Sequence, residues 1–222
     1  MTIHSTDREV GPINIAFEKD IFTDHPNPEA KIITDHDQLV KYIDQCRLHG
    51  LSIVMTSGSF DMVHIGHARY LEAAKKHGDI LVVGVDSDAK VKARKGPERP
   101  VIPEDERIGI LSHLRSVDAL TFKYPDEPQW ELIKRIAPDT LVVTEETYKE
   151  ETLDELRDIC GKVVCLEPQA TTSTSAQIRK LQTEWSKKIT APMTEILEKY
   201  GASDALKREL FQIALKAHQN NA

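Results

Sequence analysis

Apolar positions along this chain follow two periods, and the two alternate. From about Asp35 to His49, Leu39, Val40, Ile43 and Cys46 recur at helical spacing, which predicts a helix closed by Gly50. Leu51–Ser57 (LSIVMTS) then reads as a strand. Gly66–His77 reads as a helix with Tyr70, Leu71 and Ala74 on one face and Gly78 at its end. Ile80–Val85 (ILVVGV) has the unbroken apolar run of a strand buried on both sides. Strand, helix, strand at this spacing is a βαβ unit with parallel strands. The alternation continues with a helix opened by Pro103, with Ile110, Leu111, Leu114 and Val117 along one side, and a strand at Asp118–Phe122. A helix at Glu127–Ile136 with Leu132, Ile133 and Ile136 inward, a strand at Thr140–Thr144, an amphipathic helix at Glu150–Cys160 and a last strand at Lys162–Leu166 complete it. Five strands alternating with helices predict an α/β fold, a Rossmann-like, doubly wound parallel sheet.

The flanks have a different character. Residues 1–30 show no period and are interrupted by Gly11, Pro12, Pro26 and Pro28, so an irregular N-terminal arm is expected there. Beyond Leu166 comes a hydroxyl-rich stretch and then a mostly helical tail, with Ile196 and Tyr200 at i, i+4 and a stripe of Leu206, Leu210 and Ile213. The expected organisation is an arm over 1–30, a catalytic-size domain over 31–182 and a C-terminal helical extension over 183–222. The apolar stripes of the extension are expected to pack on the domain or on a second subunit, which makes a homodimer the expectation.

Composition narrows the setting. The 222 residues are 40% hydrophobic and 29% charged, which is ordinary for a globular chain, and no apolar run approaches the length of a membrane span. The opening MTIHSTDREV lacks the basic and apolar stretches of a signal peptide. Three cysteines (Cys46, Cys160 and Cys165, the last expected in the core) give no disulfide framework, so the cytoplasm is the expected compartment. A formal net charge of -7 argues against nucleic acid or anionic membrane as a partner, so any anionic substrate must be drawn in by a local cluster of cations.

One segment carries chemistry. GSFDMVHIGH, Gly58–His67, joins the first strand to a helix, the junction where ligands sit in open α/β sheets. Gly58 permits close backbone approach, and Gly66 falls where the helix begins and its amides and dipole attract phosphate. His64 and His67 are three apart and can face one anion. A zinc site would need further cysteine or histidine ligands at suitable spacing. A dinucleotide oxidoreductase would need GxGxxG after the first strand, and that pattern is missing. A second segment, Thr171–Lys180 (TTSTSAQIRK), places Ser173, Thr174 and Ser175 at a helix start with Arg179 one turn in, suited to holding phosphate. A third, Lys90–Arg107 (KVKARKGPERPVIPEDER), reads either as a solvated charged loop or as a cationic lid over a polyphosphate.

GxFDxxHxGH after a strand, followed by [ST]-[ST]-x-x-I-R after the last strand, resembles the nucleotidyltransferase superfamily that includes the cytidylyltransferases and several adenylyltransferases. The likeness spans about Lys31 to Lys180 and lies nearest to heptose-phosphate adenylyltransferase domains. The resemblance implies transfer of a nucleoside monophosphate from a nucleoside triphosphate to a small phosphorylated acceptor, with Mg²⁺ carried mainly by the triphosphate. It implies catalytic roles for His64, His67, Lys95 and Arg179, and nucleotide contacts from Gly58, Ser59, Phe60, Gly66, Lys92, Ser173, Thr174 and Ser175. Asp61, Arg107 and Thr144 are candidate acceptor contacts, although Asp61 is also placed to fix the loop by bonding backbone N–H groups. The Ile178–Arg179 ending favours ATP over CTP. Those domains carry Lys-Gly-Gly-Asp-Tyr after the fourth strand, where this chain has VTEETYKEE, Val143–Glu151, so the acceptor differs or is held differently. The alternatives are a CTP-dependent enzyme acting on a phospho-alcohol or phosphonate and a non-catalytic nucleotide sensor.

Overall fold

Strand β2, Ile80–Asp86, is buried at every position, and the rest of the sheet is arranged around it and its neighbour β1, Ile53–Gly58. In the computed structural model, which describes residues 27–144, 150–167, 169 and 174–220, five strands form one sheet in the order β3-β2-β1-β4-β5. The outer strands are β3 (Ala119–Lys123), β4 (Thr140–Thr144) and β5 (Lys162–Leu166), and every pairing is parallel. Helices α1 (His36–Leu48), α2 (Ile65–Lys75), α3 (Asp88–Lys95), α4 (Glu104–Ser112), α5 (Glu131–Ile136) and α6 (Glu150–Ile159) occupy the connections. Helices α7 (Thr174–Lys199) and α8 (Asp204–Asn220) follow the sheet. The Rossmann-like α/β fold predicted from the alternating periods is the fold observed.

Strand alternation divides the core into two layers. Ile53 and Met55 of β1 join Ile80 and Val82 of β2 under α1, α5 and α6, through Leu39, Ile43, Ile133 and Leu156. Val54, Leu81, Val83 and Val85 point the other way, onto Leu71 and Ala74 of α2 and Ile108 and Leu111 of α4. Both faces are covered, as an all-parallel sheet requires. The helix ends follow local chemistry. Asp35 caps α1 by accepting from the Asp37 and Gln38 amides, and Ser87 caps α3 by accepting from Lys90. Gly50, with φ 75, reverses the chain after α1.

Several expectations change. The helix expected from Glu127 begins only at Glu131, because Trp130 adopts a left-handed backbone (φ 63) that interrupts the helical bonds before it. The Trp130 ring packs against the α1/α5 core and its Nε1–H reaches Glu155. On α4 the buried stripe is Arg107, Ile108, Leu111 and Ser112, so Ile110 turns outward and is 47% exposed. A buried arginine occupies part of the face expected to be purely apolar. The segment from Lys90 starts as helix α3 rather than as a loop. Cys165, expected in the core, is exposed because β5 is an edge strand with one neighbour.

The flanks are partly described. Residues 1–26 of the expected arm lie outside the described residues, while Pro28–Lys31 form a short 3-10 helix held by Lys31 Nζ donating to the Leu114 carbonyl. Ile33 donates to Leu120, so the chain is already fastened to β3 there. Helix α7 runs unbroken through the boundary expected at 182/183. Ile196, Tyr200, Leu206 and Ile213 of the C-terminal stripes are exposed.

Two glycines test this packing with opposite signs. A Cβ on Gly78, between α2 and β2, would lie 2.6 Å from Val54 Cγ2, whereas one on Gly109 in α4 meets nothing within 4 Å. Gly78→Ala is expected to destabilise the protein by roughly 1–3 kcal/mol through overpacking. Gly109→Ala is expected to stabilise it by up to about 1 kcal/mol through helix propensity. Urea denaturation of both variants checks the pair, and equal effects would contradict the packing described.

Candidate active site

The site begins where two strands part. β1 stays paired with β2 as far as Gly58↔Val85, but its pairing with β4 covers only Val54↔Thr140 and Met55↔Leu141. β4 continues beside β5 to Thr144↔Leu166. A crevice therefore opens between the carboxyl ends of β1 and β4, on either side of which the chain order reverses, the position at which open α/β sheets take ligands. Tyr70 of α2 closes its floor. The Tyr70 hydroxyl donates to the Val142 carbonyl at 3.1 Å and accepts from Thr56 Oγ1 at 2.7 Å, joining the strands where the ladder stops. Thr144 stands at the β4 end of the crevice and Gly58 at the β1 end.

From Gly58 the chain takes an unusual path. Phe60 and Met62 both have positive φ, 47 and 51, which side-chain-bearing residues adopt only when their surroundings hold them there. Two buried charges do so. The Asp61 carboxylate, 1% exposed, accepts from the Val101 and Ile102 amides and from Arg99 Nε at 2.7 Å. These bonds hold its carboxyl below the usual range, against the effect of burial. Arg107 is 0% exposed, and its guanidinium donates to the Ser59 carbonyl, to the Ile102 carbonyl at 2.9 Å and to Asp88 Oδ1 at 2.8 Å. Asp61 and Arg107 were candidate acceptor contacts. Asp61 bonds backbone N–H groups, as the loop-fixing reading of it expects, and both side chains are buried and spend their bonds on the loop and the segment behind it.

At the start of α2 the two histidines cap one helix reciprocally. His64 Nδ1 accepts from the Gly66 amide at 3.1 Å, and His67 Nδ1 accepts from the His64 amide at 3.3 Å. A neutral imidazole that accepts at Nδ1 carries its proton on Nε2. Each ring therefore presents an N–H donor on the side away from the helix backbone. The Gly66 amide, a candidate nucleotide contact, is taken up by the cap. The ring centroids are 4.1 Å apart, and Phe60 meets His67 edge-on at 5.6 Å. Burial, then the neighbouring His64 and Lys95, push His67 down to about 4, so its ring is neutral at pH 7.

Cations flank the loop. Lys95, at the end of α3, donates to Ser59 Oγ at 2.9 Å, and burial followed by the nearby Arg94 and Arg99 lowers its pKa. Lys92 is exposed one turn earlier on α3. Lys123, at the end of β3, donates to Ser57 Oγ at 3.0 Å. The structure thus brings together His64, His67, Ser59, Phe60 and Lys95 around the loop that starts at Gly58. Of the second motif, Ser173 lies outside the described residues. Thr174, Ser175 and Arg179 fall in the first turns of α7, and their side chains lie outside the described residues as well. Lys123, Tyr70 and Arg99 were missed in the sequence. For Lys123 a signal existed, since a lysine closing a parallel strand stands at the ligand edge of the sheet. Among the described residues no group of three or more His, Cys, Asp or Glu is placed to hold a metal ion.

Residues 55–203 match the family described as Cytidylyltransferase-like. The chain is similar to the bifunctional protein HldE of Methylobacillus flagellatus, 38% identical over 173 residues that cover 77% of this chain and 35% of that protein. It is similar to the bifunctional protein HldE of Wolinella succinogenes, 36% identical over 162 residues that cover 73% of this chain and 34% of that protein. The chain thus spans about a third of the length of these relatives. Among solved structures it is similar to a lipopolysaccharide core biosynthesis protein from Thermoplasma volcanium, with a TM-score of 0.46 and 30% identity, covering 53% of this chain and 97% of that one.

The depressed pKa of His67 has a measurable consequence. Unfolding restores its ordinary value near 6.5, so between pH 6.5 and about 4 the unfolded chain binds the proton that the folded chain refuses. The stability associated with the neutral ring is complete above pH 6.5 and is lost as the pH falls towards 4. Urea denaturation at pH 7 and pH 5 is expected to show this loss, with a shallower slope for His67→Gln. Identical slopes would contradict the burial of the ring.

Proposed function

We propose a specific reaction for this chain, which belongs to the cytidylyltransferase-like family and is a nucleotidyltransferase: transfer of AMP from ATP to the phosphate of a small sugar phosphate, with release of pyrophosphate. The observation that carries this reading is the reciprocal His64–His67 cap, which engages both Nδ1 atoms and leaves each Nε2 as a donor. The likeness of Gly58–His67 and of Val85–Val101 to heptose-phosphate adenylyltransferase domains supports a sugar phosphate as acceptor. The Ile178–Arg179 ending supports ATP as donor. The acceptor-side difference at Val143–Glu151 falls largely on residues 145–149, which lie outside the described residues.

The chemistry asks little of acid–base catalysis. An acceptor phosphate is already anionic near neutral pH, so one of its oxygens can attack the α-phosphorus directly. The bond from the α-phosphorus to the α,β-bridging oxygen breaks, and pyrophosphate leaves in line. Alignment and charge neutralisation dominate such transfers. In this reading His64 and His67 donate from Nε2 to oxygens that gain charge in the transition state. Lys95, braced by Ser59, faces the departing phosphates together with Ser173, Thr174, Ser175 and Arg179. Lys92, exposed on α3, helps align the acceptor or the α-phosphate, and Thr144, at the end of β4, is a candidate acceptor contact. Mg²⁺, when bound, neutralises part of the polyphosphate charge. A homodimer in the cytoplasm is the setting this reading assumes, and no described helix is long and apolar enough to cross a membrane.

A panel of the four common nucleoside triphosphates against hexose and heptose phosphates, read by pyrophosphate release, tests the reaction. ATP with a sugar phosphate is the productive pair expected. Nucleotide binding without release for any pair identifies a sensor and overturns the proposal, and release only with CTP moves the donor to cytidine. In the productive pair, His67→Ala is expected to lower kcat by about 10²–10³-fold, the usual cost of one transition-state donor. Circular dichroism should show an intact fold, and near-wild-type turnover would remove His67 from the mechanism.

A further inference from the structure

Lys123 takes a long route to its position. It closes β3, in register with Asp86 of β2, yet its ammonium ends on β1, 3.0 Å from Ser57 Oγ. Its stem crosses β2 at Gly84, where a Cβ would lie 2.9 Å from Lys123 Cδ and 3.0 Å from Leu132 Cδ2. Gly84 stands directly opposite Ser57, so the glycine opens the channel through which the lysine reaches the first strand. The side chain is only 15% exposed.

The charges around it do not cancel. Asp86, 2% exposed, is bonded by Arg94 at 2.8 Å and lies 3.8 Å from the Lys123 ammonium. Two cations therefore share one carboxylate at the strand ends. Lys90 adds a third positive charge and Glu127, which also bonds His36 and the Tyr124 amide, a second negative one, so the cations still outnumber the carboxylates. Burial is the main cause of a lowered Lys123 pKa, a cost that an anionic ligand beside the ammonium offsets. A simple internal ion pair needs only Asp86 and Arg94.

The position relative to the histidines gives the cation a side. Ser57 and Ser59 flank Gly58, and each receives one ammonium: Ser59 from Lys95, Ser57 from Lys123. Lys95 lies within electrostatic reach of His67, which begins α2. Lys123 extends the β3 face that carries Ala119, on the α1/α5 side of the sheet, whereas α2 packs on the other side. An in-line displacement requires the nucleophile and the leaving group on opposite sides of the α-phosphorus. In the reaction proposed above, pyrophosphate takes the imidazole and Lys95 side, which leaves the Lys123 side to the acceptor.

We propose that Lys123 is an acceptor-binding residue, whose ammonium holds the phosphate of the incoming sugar phosphate beside Gly58, opposite the imidazole pair. The proposal rests on the reaction inferred above. The direct test compares wild type, Lys123→Met and Lys123→Arg by steady-state kinetics, and by calorimetry with α,β-methylene-ATP, a nucleotide that needs no acceptor to bind. Lys123→Met is expected to raise the acceptor KM by about 10–100-fold, the range for loss of a hydrogen bond to a charged group. The Kd for α,β-methylene-ATP should stay within about twofold of wild type, and Lys123→Arg should recover part of the acceptor affinity. A weakened nucleotide Kd with an unchanged acceptor KM would place Lys123 on the triphosphate and overturn the proposal, and so would no change in either constant. If Asp86 without Lys123 destabilises the fold, the paired Lys123→Met, Asp86→Asn variant removes both partners and carries the same readout. If wild type turns over no sugar phosphate, the reaction assignment fails separately. Calorimetric titration of inorganic phosphate onto the protein loaded with α,β-methylene-ATP then reads Lys123 alone: weaker binding in Lys123→Met supports the site, and equal binding refutes it.

Discussion

A helix start leaves amides that need acceptors, and at α2 both acceptors are imidazole nitrogens. That one arrangement sets the chemistry of the site. With each Nδ1 bonded to backbone, each ring has a fixed orientation and a fixed tautomer, and its remaining nitrogen is a donor. An aspartate cap would have satisfied the same amide and left no donor for an anion. Here the capping groups themselves keep a free ring nitrogen, at the positive end of a helix dipole and beside the open ends of the strands.

The cap can form only because the preceding loop is held in a costly shape. Phe60 and Met62 sit at positive φ, and the free energy that keeps them there comes from Asp61 and Arg107, two buried charges bonded largely to backbone. Each satisfies N–H or C=O groups of the loop or of the Arg99–Ile102 segment behind it, so the two segments are locked together. The cations at the edge of the crevice have a different status. Lys95 and Lys123 each donate to a serine hydroxyl next to Gly58, Lys123 also lying 3.8 Å from Asp86, and a hydroxyl is a weak partner that an anion can outcompete. Buried charges thus shape the loop, while the two lysines bond to the serines on either side of Gly58.

Much of the fold was legible because the central strands are apolar at nearly every position and the helices between them repeat at 3.6 residues. The misreadings share one cause: tertiary contact overrode local pattern. Arg107 is polar in the sequence and buried in the fold, which hid the true face of α4 and turned Ile110 outward. Trp130 completes an apolar helical period but adopts a left-handed backbone so that its ring can reach the core. Cys165 has a core-like neighbourhood in sequence, and edge position alone exposes it. In the site, the motif identified the histidines, since their spacing and the strand before them are local facts. It could not show that Gly66's amide is already bonded or that Asp61 faces inward, because the partners of Asp61 lie about forty positions away. Lys123 and Ser57 meet only through the sheet register.

The central claim is that the helix amides fix both imidazoles as Nε2–H donors before any nucleotide arrives. Long-range proton–nitrogen correlation spectra of the histidine side chains, recorded at pH 7 without ligand, read the tautomer of each ring directly. The account predicts that His64 and His67 both show a protonated Nε2 and an unprotonated Nδ1. A protonated Nδ1 on either ring, or rapid averaging between the two forms, would contradict it.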